Sequence, residues 1–150
     1  MRIRAAEPAD FDEGLATIND AAQAYKGIIP EDTWHEPYMP AEELEGDIKD
    51  AGISFYVAEE AASSPSSLAA VMGIQKRRLD PKNNPEGHVD VTLIRHAYTK
   101  TAFQRQGIGK KLLNELISKS SQPTLIGTWA STTWAIRFYE KNGFKLVNNN

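Results

Sequence analysis

Apolar positions recur along this chain with two periods, and the switches between them lay out its elements. Ile3 and Arg4 close a short strand. Phe11, Leu15, Ile18 and Ala22 then step by four, three and four, which puts them on one face of a helix. Gly27 and Pro30 end that helix. The stretch EDTWHEPYM, residues 31–39, is irregular and aromatic. After Pro40, Leu44 and Ile48 sit four apart in a second, polar helix closed by Gly52. ISFYVAEE, from Ile53, is a strand, and LAAVMGIQKR, from Leu68, is its antiparallel partner. The small-residue connection between them, 61–67, is too long to set their register. A second polar loop covers 79–87.

The next strand, HVDVTLIRHAYT at 88–99, alternates. Strict alternation puts Val91, Leu93 and Ala97 on one face. Thr92, Ile94, His96 and Tyr98 take the other, with Asp90 on the side of His96 and Arg95 opposite it. Ile108, Leu112, Leu113, Leu116 and Ile117 then form one helical stripe. TLIGTWA, from Thr124, is a strand, and STTWAIRFYEKNGF, from Ser131, is a helix stopped at Gly143. FKLV, from Phe144, opens a last strand. This order predicts an α/β fold with a mixed sheet, one domain over residues 1–150 and no internal repeat.

Composition narrows the chemistry. With 150 residues the chain suits one domain with a real core, and its 41% hydrophobic and 25% charged residues are ordinary for a soluble protein. A net charge of -3 argues against broad affinity for nucleic acid. The absence of cysteine excludes thiol catalysis by a side chain, disulfides and cysteine-based metal sites. The three histidines, His35, His88 and His96, have no metal-ligand spacing, so no metal is expected. No signal peptide and no membrane-length apolar run are read, and the expected location is cytoplasmic.

The heptamer QRQGIGK, residues 104–110, places two glycines at the start of a helix. A helix start leaves backbone N–H groups unpaired and carries a positive dipole end, and glycines let an anion approach them. Arg105, Lys110 and Lys111 add positive charge. Taken alone the heptamer is either an anion cradle or a plain turn. It lacks the third glycine of a dinucleotide fingerprint and the spacing of a nucleoside-triphosphate loop.

Two motifs together go further. Gln104, Gly107 and Gly109 carry the pattern of Gln or Arg, two residues, Gly, one residue, Gly or Ala. Ala135, Phe138, Tyr139, Gly143 and Phe144 carry an alanine, then Phe-Tyr, three residues and Gly-Phe. In both, and in element order from Ile3 to Val147, the chain resembles the GCN5-related N-acetyltransferase superfamily. The resemblance implies a mixed, largely antiparallel central sheet flanked by helices. It also implies acetyl-CoA as cosubstrate, with its pantetheine arm between two splayed parallel strands, those at 88–99 and 124–129. The backbone near Tyr98 and Thr99 would meet that arm. The amides of Gln104, Arg105, Gln106, Gly107, Ile108, Gly109 and Lys110 would hold the pyrophosphate.

The implied reaction is direct attack of a primary amine, small-molecule or peptide, on the thioester. Tyr139 stands where the family keeps its general-acid tyrosine, against the bland alternative of a packing aromatic. Phe138 beside it reads as core. His96 is a candidate base, or equally a sheet histidine; the family's base glutamate would fall at Leu93. Trp34, Glu36 and Tyr38 lie where the family lines its acceptor pocket, with Glu36 suited to an ammonium and the rings to its π contact; a hydrophobic plug is the competing account. Thr132 replaces the asparagine that orients the pantetheine end, with a shorter reach.

The family closes its sheet with one more strand after the Gly-Phe strand. Here only Asn148, Asn149 and Asn150 follow FKLV. The expectation is therefore a sheet lacking its final strand, by truncation or with the edge covered by a second subunit in a homodimer. A non-catalytic coenzyme A-binding module, or a protein interaction module of the same fold, is the alternative to an enzyme.

Overall fold

The computed structural model describes residues 1–60, 67–79, 89–120, 123–129 and 131–146. The two polar connections and the end of the chain fall largely outside these residues. Five strands form one sheet in the order β1-β2-β3-β4-β5. They are β1 (Arg2–Ala5), β2 (Ser54–Glu60), β3 (Ser67–Leu79), β4 (Val89–Thr99) and β5 (Thr124–Ile126). The first four pair antiparallel and β4 pairs parallel with β5.

Helices cover both faces. α1 (Phe11–Ala22) and α2 (Ala41–Lys49) lie on one, α3 (Ile108–Ser118) on the other, and α4 (Thr133–Lys141) adds its Phe138 and Tyr139 to the α3 side. The stripe of α3 buries Ile108, Leu112, Leu113 and Leu116 against Ala58, Ala70, Met72 and Ile94. Ile18 of α1 and Leu44 of α2 meet Met39, Phe55 and Tyr98 on the opposite face.

Polar ties fix the layers. Arg4 in β1 makes a forked pair of hydrogen bonds to Asp10, at 2.7 and 2.9 Å, and a third to Glu59 of β2 at 2.6 Å. Glu13 of α1 pairs with Lys100 at 2.9 Å, and Asp20 accepts from the Thr101 amide at 2.7 Å. The chain leaving β4 is thus held against α1 as it enters the glycine turn.

Three expectations change. The strand foreseen across TLIGTWA pairs only at Thr124–Ile126. The strand foreseen from Phe144 does not form at 144–146, and Leu146 is exposed. Among the described residues no strand follows α4, so β5 borders only β4, in keeping with a sheet short of its final strand.

The third change is in β4. Its pairing with β3 slips between Val71 and Gly73, where Tyr98 faces Val71 but Arg95 faces Gly73. β4 therefore holds one extra residue, a bulge, and His96 takes a left-handed φ of 54° within it. Strict alternation fails at that point. Ile94 and Ala97, three apart, both face α3, while Tyr98 joins the cluster under α1 and α2. His96 reaches Asp47 of α2, so it lies on the face opposite Ile94 and Asp90, contrary to the pattern read from the sequence.

Candidate active site

β4 and β5 stop pairing at Ile94 and Ile126, although β4 runs on to Thr99. Beyond that point the two chains diverge and a cleft of about 420 Å³ opens. Its walls are Arg95 to Tyr98 of β4, the segment from Gly127 to Trp129, and Tyr25, Tyr38 and Tyr139. The bulge at His96 and the divergence occupy the same stretch of β4, so the strand turns its edge into the cleft there. Backbone groups at such an edge need partners, and an amide-rich ligand can supply them.

The glycine turn stands at one end. Gly107 is the residue before α3 and adopts φ 76°, a left-handed conformation that a side chain would strain. Arg105 is left-handed too, at φ 65°. No side chain caps α3 among the described residues, so the amides of Ile108, Gly109 and Lys110 are those a helix start leaves unpaired. A Cβ on Gly109 would come within 3.2 Å of the Thr99 hydroxyl, so its absence lets the turn close onto the end of β4. The Gln104 side chain donates to the Thr99 carbonyl at 3.2 Å and closes the turn on itself. Gln104, Arg105, Gln106 and Lys110 are exposed and Ile108 is buried.

Tyr139 lines the cleft from α4, with its ring held edge-on between Phe138 at 5.3 Å and Phe144 at 5.9 Å. Burial, with Tyr25 nearby, pushes its phenol pKa up. The hydroxyl therefore keeps its proton throughout the neutral range.

His96 stacks on Phe55 at 5.9 Å, and its Nε2 lies 2.8 Å from Asp47 Oδ2. The two atoms face each other as a close pair, but off the line of a well-directed hydrogen bond. Asp47 favours the charged ring, yet burial outweighs it and the imidazole pKa is lowered from 6.5. A neutral ring with its proton on Nε2, towards the carboxylate, has Nδ1 left as acceptor.

The remaining predicted residues divide. Tyr38 lines the cleft, Trp34 stacks on it at 5.8 Å, and both belong to a run of aromatic contacts through Tyr25 to Tyr98 and Trp134. Burial and the neighbouring phenols push the Tyr98 pKa up as well. Glu36 lies outside the lining, is half exposed and pairs with Lys26 at 3.2 Å. Thr132 is fully buried, donating to the Trp129 carbonyl at 2.7 Å and sharing a 2.9 Å hydrogen bond with Thr128. Its hydroxyl holds the turn that carries Trp129 and starts α4.

The sequence reading passed over Tyr25, Asp47 and Arg95 as site residues. Tyr25 was recoverable: the stripe 11, 15, 18, 22 continues by three to 25. Asp47 falls three after Leu44 on the inner side of α2. Arg95 had no signal, because the bulge that brings it beside His96 is absent from the pattern.

A parallel pair that splays next to a glycine turn at a helix start, within a mixed sheet covered on both faces, is the architecture of the GNAT acetyltransferases. Residues 51–146, well over half of the chain, match the family described as Acetyltransferase (GNAT) domain, and the chain belongs to it. Solved structures agree on the fold. A variant of the BH1408 protein from Bacillus halodurans superposes with a TM-score of 0.81 at 16% identity, covering 100% of this chain and 96% of that one. A predicted acetyltransferase from Clostridium acetobutylicum, solved with acetyl-CoA, gives 0.69 at 16% identity over 99% and 92%. NAA60 of Arabidopsis thaliana, in complex with a bisubstrate analogue, gives 0.70 at 17% identity over 98% and 86%. Among the described residues no helix is long and apolar enough to cross a membrane, and no group of metal-ligating side chains occurs.

Proposed function

We propose that this chain transfers the acetyl group of acetyl-CoA to a primary amine by direct attack. One observation carries the reading: the β4–β5 divergence has an open glycine turn at one end and the Tyr139 phenol in its wall. The residues suit the cosubstrate. The amides after Gly107 and the charge of Arg105 and Lys110 suit a pyrophosphate, and the edge of β4 that β5 leaves beyond Ile94, near Tyr98 and Thr99, suits the pantetheine arm. A structural neighbour from Clostridium acetobutylicum was solved with acetyl-CoA, which supports the same class of cosubstrate here.

In the reaction the amine nitrogen attacks the thioester carbonyl carbon. The bulged edge of β4 offers backbone N–H groups to the oxygen as it gains charge. The C–S bond then breaks, and Tyr139 gives its proton to the departing sulfur and regains one from solvent. The amine's proton passes to His96 Nδ1, directly or through water, with Asp47 steadying the ring that gains charge. Tyr25, Tyr38 and Trp34 wall the acceptor side.

Calorimetric titration with acetyl-CoA tests the reading. One-site binding is expected, and Gly107→Asp, which strains the left-handed turn and sets a carboxylate against the phosphates, is expected to weaken it about tenfold or more. Equal binding by the variant would remove the pyrophosphate from this turn. No binding by folded protein would overturn the acetyltransferase reading itself.

A further inference from the structure

Arg95 carries a charge that nothing in the cleft balances. It lines the cleft beside His96 and is partly exposed. Its Nη1 donates to Gln75 Oε1 at 3.0 Å, and Gln75, only 8% exposed, is itself fixed by donating to the Ala51 carbonyl at 2.7 Å. This neutral relay orients the guanidinium without compensating it. Among the described residues Arg95 has no carboxylate partner, and no Asp or Glu lines the cleft. The carboxylates that act on the neighbouring His96, Asp47 and Glu43, belong to α2 and do not line the cleft.

A partly buried guanidinium loses some of its hydration, and an anion compensates that loss best. A carboxylate matches its fork with two parallel charge-assisted hydrogen bonds. The same charge opposes an ammonium nearby, so the amine of a bound acceptor is favoured as the free base, the form that attacks. The other walls are rings, those of Tyr25, Tyr38, Tyr98 and Trp129, which suit a flat body.

On the acetyltransferase reading of the cleft, we propose that Arg95 is an acceptor-binding residue and that the acceptor is an aromatic or apolar amine bearing a carboxylate. The position held by Gln75 makes the charge a fixed specificity element rather than a mobile surface group.

The test uses two matched pairs, phenylalanine with phenylalaninamide and 4-aminobenzoate with 4-aminobenzamide. Binding to the coenzyme A-loaded protein is followed by saturation-transfer NMR, which needs no turnover. The carboxylate of each pair is expected to bind about tenfold more tightly or better than its amide. Arg95→Gln is expected to erase that difference, and Arg95→Lys to keep part of it. Equal binding within both pairs, a preference that survives Arg95→Gln, or no binding of either carboxylate at millimolar concentration would each overturn the proposal. Acetyl-CoA affinity of the same samples, measured separately, reports on the parent reading, so the two failures are distinguishable.

Discussion

Tyr139 shows what one side chain owes to its surroundings. Its position before Gly143 and Phe144 was legible as a motif, but its burial among Phe138, Phe144 and the cleft wall was not. Burial raises its pKa above the ordinary 10.0, so the phenol carries its proton throughout the neutral range. Tyr139→Phe keeps the ring contacts with Phe138 and Phe144 and removes only the hydroxyl. We expect kcat to fall about a hundredfold with KM for acetyl-CoA little changed, because proton donation acts on the transition state. A steady-state comparison of thiol release by the two proteins checks this, and an unchanged kcat would return Tyr139 to a packing role. His96 is the opposite case. Its residue type announced a titratable group, but its face was misassigned, because a left-handed φ at a non-glycine residue leaves no mark in the sequence.

At the scale of elements, the β4 bulge and the strand beside it depend on each other. Gly73 faces Arg95 across the ladder, and a Cβ there would lie 2.7 Å from the Ile53 side chain and 3.1 Å from the Arg95 carbonyl. β3 can lie close to the bulged strand only because that position has no side chain. Gly73→Ala should cost about 1–3 kcal/mol in urea unfolding and should lower turnover more than acetyl-CoA binding, since the strain falls on Arg95 and His96. A variant as stable and active as the parent would detach Gly73 from the bulge. The stripe of α3 was fully legible, because a 3.6-residue period is written in residue type alone. Leu116 is 0% exposed in the cluster beneath α3. Leu116→Ala should cost about 2–5 kcal/mol in the same assay.

At the scale of the molecule, the burial of His96 between the sheet and α2 makes stability depend on pH. Burial lowers the folded-state pKa of His96 below its ordinary value of 6.5. Between those two pKa values the unfolded chain binds more protons than the folded one. This contribution to stability is complete above pH 6.5 and is lost as pH falls through the window below it. Thermal unfolding should show Tm dropping on acidification from about pH 7 to 5, with a shallower drop in His96→Gln. Equal slopes would mean that other groups govern the acid limb. The same titration should place the acid limb of the pH–rate profile below 6.5, if His96 takes the amine's proton.

Periodicity and spacing alone determined the order of elements as far as α4, the apolar stripes of α1 and α3, the glycine turn and the Phe-Tyr motif. Each of these is a local property: a period, a cap or a fixed separation. Only the tertiary structure decided where β4 bulges, where β5 leaves it, and which of Arg95, His96 and Tyr98 meets which helix. Those outcomes depend on how Gly73, Ile53 and Asp47 pack from distant parts of the chain. One extra residue in a strand reverses the facing of every residue beyond it while leaving composition and hydropathy unchanged.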